Sequence, residues 1–351
     1  MIRNRKLLIG AIVTAFVLIV FLGSFLFYQF SLRPVASESE LVTFEVMEGD
    51  SSSSVITRLD EQGIIQNATM AKIYARFQGL HEVKAGSFQL DKSWSTREIL
   101  RYLNDANHAN AHQVTITFRE GIWAKDIAAA LEEKLDVSAD ELIALWNDET
   151  YLKTLIDKYE FLSDDILNDQ VRVALEGYLY PETYAFELDA TKEEITETFL
   201  NQFEKVYETY KDDLSSSNVS MHDIITMASM VQYEASTTED MGLVSGVFYN
   251  RLAINMHLGS SVTICYALYD EYKTAEDCEL NANIDSPYNT YLYAGLPVGP
   301  ILNPGKDAIM AALHPTENDY YYFMADIYGD GTVYYARTQE EHDANVNKYL
   351  R

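Results

Sequence analysis

From Leu7 to Tyr28 the chain runs for 22 residues without a charge. As a helix rising about 1.5 Å per residue the run is roughly 33 Å long, enough to cross the hydrocarbon core of a bilayer. Arg3, Arg5 and Lys6 precede it and no acidic residue occurs before Glu38. The positive-inside tendency therefore puts the N-terminus in the cytoplasm and everything beyond residue 30 outside. A cleaved signal peptide is the competing reading, but the run exceeds a usual h-region and no A-x-A site follows. The expected location is the cell membrane, crossed once, with the bulk of the chain extracytoplasmic.

The formal charge of -28 becomes about -31 on the outer part once the three anchor cations are set aside. Such a surface repels phosphate backbones, which excludes nucleic acid as a partner. It also binds anionic polymers poorly, so recognition must rest on hydrogen bonds and aromatic stacking, for which 25 Tyr supply the material. With 351 residues, 48 % of them hydrophobic, two or three domains with real cores are expected. Cys265 and Cys278 are the only cysteines, so there is neither a disulfide framework nor a thiolate metal cage. Outside the membrane the two could pair. Cys265 lies within the apolar run VTICYAL, however, and reads in preference as a small buried core residue.

Residues 31–41 (SLRPVASESEL) lack periodicity and read as a tether. VTFEVMEG at 42–49 alternates like a half-buried strand, and SSSSVITRLDEQGII follows with helical spacing. At a distance of 72 the pattern returns, VTITFREG at 114–121 echoing the strand and IAAAL at 127–131 echoing VITRL. Between the copies, 84–90 reads as a strand and 95–105 as a helix capped by Ser95. Aromatics crowd around Pro181 at 176–187, and a long amphipathic helix follows over about 192–210. Ser220 with Asp223 signals a helix start, after which Ile224, Ala228, Val231 and Ala235 trace one apolar face. Thr237 and Asp240 open the next helix. The segment 295–305, GLPVGPILNPG, must be a shaped loop, and Asn303 with Pro304 suits an N-cap and first turn for a helix from Lys306. A hairpin around Asp330 and Gly331 and a helix capped by Thr338 and Glu341 close an α+β chain.

Glu234 is the chemical oddity: a carboxylate at the end of an apolar helix, after Met230 and Val231. Desolvation and the negative helix end both favour its protonated form, the state a general acid needs. A Glu simply facing water at a helix terminus is the plain alternative. His108 and His112 in HANAH have i, i+4 spacing but no evident third ligand, while His257, His314 and His342 are scattered. No G-x-S-x-G elbow and no phosphate loop occurs, so neither metal nor cofactor is expected.

MASMVQYEAS, VFYNRL at 247–252, SPYNTY at 286–291, GLPVGPILNPG and HP at 314–315, in that order, resemble the MltG (YceG-like) family of endolytic murein transglycosylases. EGYLYPETY at 176–184 and KAGSF at 84–88 are similar to its upstream part, so the likeness spans nearly the whole chain. It implies an anchor (1–30), a linker (31–41), a LysM-like module (42–108), a second strand and helix module (112–190) and a mixed α+β catalytic domain (191–351). Glu234 falls on the second, catalytic Glu of that family's E-K-E helix motif. Asn250, Tyr288, Asn289, Tyr291 and Gln232 become candidates for the sugar cleft, through ring stacking and amide hydrogen bonds. Four positions depart from the pattern: Gln232 replaces the first Glu of the motif, and GSSVT puts Gly259, Ser261 and Val262 where Gln, Asp and Pro are usual.

The activity implied is that of a lytic transglycosylase, a carbon–oxygen lyase acting on peptidoglycan glycan strands. Glu234 would protonate the oxygen between N-acetylmuramic acid and N-acetylglucosamine. As a carboxylate it would then take the proton of the muramoyl C6 hydroxyl, closing a 1,6-anhydro ring. One carboxylate serves both steps, and no convincing second one stands out in the sequence. The alternative is a weakened or inactive glycan-binding scaffold within the wall-synthesis machinery, whose membrane proteins of elongation or division are the candidate protein partners. A hydrolase with lysozyme-like products is a third reading.

Overall fold

Uncharged and free of proline, the apolar run forms the body of helix α1 (Ile2–Ser31) in the computed structural model. Residues 2–350 are described, apart from 82, 106, 111, 217, 218, 327 and 328. Among them α1 is the one helix long and apolar enough to cross a membrane, over Val13–Ser31. The chain divides into two compact units, Met1–Val114 and Thr115–Arg351.

In the first unit β1 (Leu41–Val46) precedes α2 (Ser52–Glu61) and α3 (Ala68–Gln78), and β2 (Gly86–Asp91) precedes α4 (Thr96–Leu103). β1 and β2 are antiparallel, with Phe44 opposite Phe88. Their inward residues meet Val55 and Leu59 of α2 and Ile99 and Leu103 of α4 in one buried core. Ser95 caps α4 in a full capping box with Glu98, as the sequence predicts.

The expected tether at 31–41 is instead bound to this core where it leaves α1. Leu32 is only 1 % exposed, and its carbonyl accepts from Thr96 N at 3.2 Å. Lys92 O accepts from Val35 N and Ala36 N, and Gln66 Nε2 donates to Pro34 O. Burial of one apolar side chain and backbone pairing on both sides of Pro34 outweigh the polar composition on which the tether reading rests. The paired histidines of HANAH also have local partners: His108 stacks on Tyr102 with centroids 3.8 Å apart, and His112 hydrogen-bonds Gln89.

The second unit begins within β3 (Gln113–Thr117), whose partner is β4 (Thr183–Glu187). Between them lie α5 (Ala124–Lys134), α6 (Ala139–Leu145) and α7 (Glu149–Lys158). Then come α8 (Lys192–Glu208), α9 (Lys211–Ser216), α10 (Met221–Glu234) and α11 (Thr238–Ala253). α12 (Ser261–Ala267), α13 (Ala275–Leu280) and α14 (Lys306–Leu313) follow, and the hairpin β5 (Tyr322–Ala325) and β6 (Val333–Ala336) leads to α15 (Gln339–Tyr349). Ser220, Thr237 and Thr338 all cap the helices assigned to them.

Three expectations change. α10 is buried not on one face but almost all round, Ile225, Met227, Ser229 and Met230 being 0 % exposed like Ala228 and Val231. It is the central helix of its unit, packed by α11, α12 and α14. Gly305, not Asn303, is the N-cap of α14; the Asn303 side chain is wholly buried and engaged elsewhere. Cys265 and Cys278 are joined as a disulfide rather than remaining thiols, because the turn after α12 brings α13 back to within 4.9 Å, Cα to Cα. Both are nonetheless buried, with Ile264 and Leu268.

Candidate active site

Ser220 starts α10 by accepting from Asp223 N at 3.1 Å, and the helix ends at Glu234, where Ala235 turns to extended backbone. Its last turn leaves the core and presents Gln232, Tyr233 and Glu234 along an open groove of about 1000 Å³. The opposite wall comes from 117–121 and 180–183, with Met241, Asp307 and the hairpin residues Ala325 and Val333 completing it.

Glu234 is half-buried, and Ser260 Oγ donates to its Oε1 at 2.6 Å. Desolvation raises its pKa above the ordinary value, opposed by the Ser260 hydrogen bond and by the positive charge of Arg251. Ser260 is held in turn: its N–H donates to Thr290 Oγ1 at 3.0 Å, and its carbonyl accepts from Thr263 Oγ1 at 2.7 Å. Arg251 donates to Tyr321 O at 2.6 Å and to Leu258 O, which fixes a cation near the carboxylate without pairing to it. A partly desolvated acid with one fixed donor is poised to give up a proton and then take one back.

On the same helix turn, Gln232 Oε1 accepts from Gly305 N at 2.7 Å and its Nε2 donates weakly to Glu120 at 3.4 Å. Beneath lies a buried knot. Glu176, 0 % exposed, accepts from Ala124 N at 2.9 Å, Asn303 Nδ2 at 2.9 Å and Tyr266 Oη at 3.0 Å. Burial pushes its pKa up to about 8. Asn303 Oδ1 accepts from Gly177 N and Leu179 N, while its backbone exchanges hydrogen bonds with Gly121 and Ile122. Two loops and the start of α5 are thereby tied together under the groove.

Of the residues nominated from sequence, Glu234 and Gln232 line the groove. Tyr291 is 40 % exposed, and the Glu234 charge contributes to raising its phenol pKa, after desolvation. The polar atoms of the other three hold loops. Asn250 Nδ2 donates to Asn318 and Tyr320, Asn289 Nδ2 to Ala282 O and Ile284 O, and Tyr288 Oη accepts from Arg172 N at 2.9 Å. Sequence reasoning missed Ser260, Arg251, Glu120 and Glu176. Each stood inside a motif already singled out, in GSSVT, YNRL, FREG and EGYLY, but only the fold shows what it faces.

The class of protein follows from these features: an α+β chain with a membrane-competent N-terminal helix and an open groove whose carboxylic acid sits at the end of a buried helix. The chain belongs to the YceG-like family, whose model matches residues 44–348. It is 34 % identical over 333 residues to a Bacillus subtilis protein named endolytic murein transglycosylase, covering 93 % of this chain and 90 % of that one. A Streptococcus pneumoniae protein of the same name is 34 % identical over 345 residues, and this chain spans 62 % of its length. The crystal structure of a yceG-like protein from Listeria monocytogenes superposes with a TM-score of 0.61 at 31 % identity, covering 88 % of this chain and all of that one.

Proposed function

We propose that this protein is a membrane-anchored endolytic transglycosylase that cuts the MurNAc–GlcNAc bond of peptidoglycan strands and leaves 1,6-anhydro-MurNAc ends. The observation that carries the reading is Glu234, an acid of raised pKa on the wall of a groove open enough for a polymer. The names of the Bacillus and Streptococcus relatives support it. Glu234 protonates the glycosidic oxygen as the sugar approaches an oxocarbenium-like state, then accepts the C6 hydroxyl proton as that oxygen attacks C1. Ser260 steadies the carboxylate between the two steps. In this reading Gln232 and Tyr291 meet substrate, and Asn250, Tyr288 and Asn289 hold the loops around it, which their hydrogen bonds to loop backbone support. The first unit, with its strand and helix order, serves as the LysM-like module, and in this reading α1 is the anchor, with both units outside the cell near membrane proteins of wall synthesis.

The test is mass spectrometry of peptidoglycan incubated with the full-length protein in detergent. Anhydro-muropeptides are expected. Reducing ends would make it a hydrolase, and no release a scaffold. Glu234→Gln keeps size and hydrogen bonding but cannot shuttle a proton, so release should fall by at least about 10² to 10⁴ at matched thermal stability. Undiminished release would remove Glu234 from the mechanism.

A further inference from the structure

A second cavity of about 400 Å³ adjoins the groove and shares Gly121 and Tyr233 with it. Tyr233 immediately precedes Glu234 in the chain and is 62 % exposed, so the cavity opens one residue from the acid. The two spaces differ in charge. The groove is lined by Glu120, Glu182, Glu234 and Asp307 against Arg119 alone, whereas the cavity has Lys125 and Lys273 against Asp126. Burial raises the Asp126 pKa, opposed by the charge of Lys125 beside it. The cavity thus holds an excess of lysine on a chain with 26 basic and 54 acidic residues, Lys273 being the cation left for a ligand while Lys125 is engaged with Tyr269.

The cavity is also well supported. Lys125 lies with its ammonium 4.7 Å from the Trp123 ring and 4.2 Å from that of Tyr269, whose carbonyl it also meets. Its backbone N–H donates to Tyr269 Oη at 3.1 Å. Tyr272 and Lys273 stand on the turn between α12 and α13, which the Cys265–Cys278 disulfide closes and the Lys273 N–H fixes by donating to Asp277 at 3.1 Å. Cations, aromatic faces and a stapled wall suit a ligand with both carboxylates and short aliphatic parts.

We propose that this cavity is the subsite for the carboxylate-bearing peptide carried by the muramic sugar whose C1 is cut. The proposal rests on the glycan-cleaving reading above. That sugar must sit directly at Glu234, and its lactyl-linked peptide leaves from C3, two carbons from the reacting C1. A side cavity that opens beside the acid is where this substituent arrives, whereas a side chain on a more distant sugar would emerge further along the groove. Cleavage is thus selective for strands that still carry their peptides.

The test compares kcat/KM on peptide-bearing strands with kcat/KM on strands stripped of peptide by an amidase, using full-length protein in detergent. The wild type is expected to favour the peptide-bearing strands, and Lys273→Glu to lower that ratio by about five- to tenfold, the scale of one lost and reversed charge-assisted contact. A wild-type ratio near one, or a ratio unchanged by Lys273→Glu, overturns the subsite. Calorimetry with the disaccharide GlcNAc–MurNAc, with and without its tetrapeptide, decides the question even if no strand is cut. Tighter binding of the peptide form that Lys273→Glu abolishes supports the subsite, and equal binding of the two forms refutes it. Failure of cleavage alone would count against the proposed function only.

Discussion

The Ser260 hydroxyl favours the charged form of Glu234, whereas burial favours the neutral one. Removing that donor by Ser260→Ala should raise the Glu234 pKa further, keep it protonated to higher pH and shift the alkaline limb of the pH–rate profile upward. A merely structural loss lowers the rate without moving the limb, so the profile separates the two. Glu176 gives a prediction of opposite appearance, in stability. Its folded pKa of about 8 lies above its ordinary 4.5, so the native state holds a proton that the unfolded chain releases in between. Its contribution is full below pH 4.5 and is lost as pH rises toward 8. Thermal melts across that window should show the midpoint of the wild type falling with pH, and Glu176→Gln, neutral throughout, should flatten the fall. The position of Glu234 stood out because a carboxylate directly after Met230 and Val231 breaks an apolar helical pattern, while the role assigned to it came from the likeness to the E-K-E helix motif. Glu176 was not: next to Gly177 and a run of aromatics it reads as an ordinary loop acid, and its three donors come from residues 124, 266 and 303, which no local pattern connects.

Among the elements, capping chemistry read most clearly, since Ser95, Ser220, Thr237 and Thr338 act on neighbours three residues away. Asn303 misled for the same reason in reverse: a good capping residue before a proline was taken by longer-range demands. The one-sided face traced on α10 likewise misread a central helix, because Thr226 and Ser229 break the apolar run while bonding within the helix, to His222 O and Thr226 O. Packing over this helix also explains Gly177, with φ at +88° and room for no side chain. A Cβ there would lie 2.6 Å from both Ile225 Cγ2 and Pro300 Cβ. Gly177→Ala should therefore lower stability by about 2–4 kcal/mol through backbone strain and overpacking, measured by denaturant unfolding. It should also depress activity, because the residue lies in the knot beneath the groove. A change under about 0.5 kcal/mol would show that the loop relaxes freely.

For the molecule as a whole, the apolar run, the order of motifs and the α+β class were all readable, because each depends on composition or on local spacing. The disulfide and the seating of residues 32–36 were not, since both depend on distant backbone arriving at the right place. An anchored chain should sediment with membranes, resist extraction by high salt and dissolve in detergent, and deletion of residues 1–31 should release it. Protease added to intact protoplasts should digest both units; protection would reverse the orientation.

α1 does not end on a loose cord. Leu32, the next residue, is part of a folded core, and Arg97 holds Gln29 from that core's side. In a bilayer, a helix longer than the local hydrocarbon thickness tilts to fit. If α1 spans a bilayer as proposed, a tilt of the helix would also turn the rest of the first unit against the membrane plane, because Leu32 and Gln29 are tied to its core. In the proposed anchored form, the angle of this unit to the membrane would be set by the lipid beneath it, and a thicker or thinner bilayer would re-aim the unit without touching a single residue of its folded core.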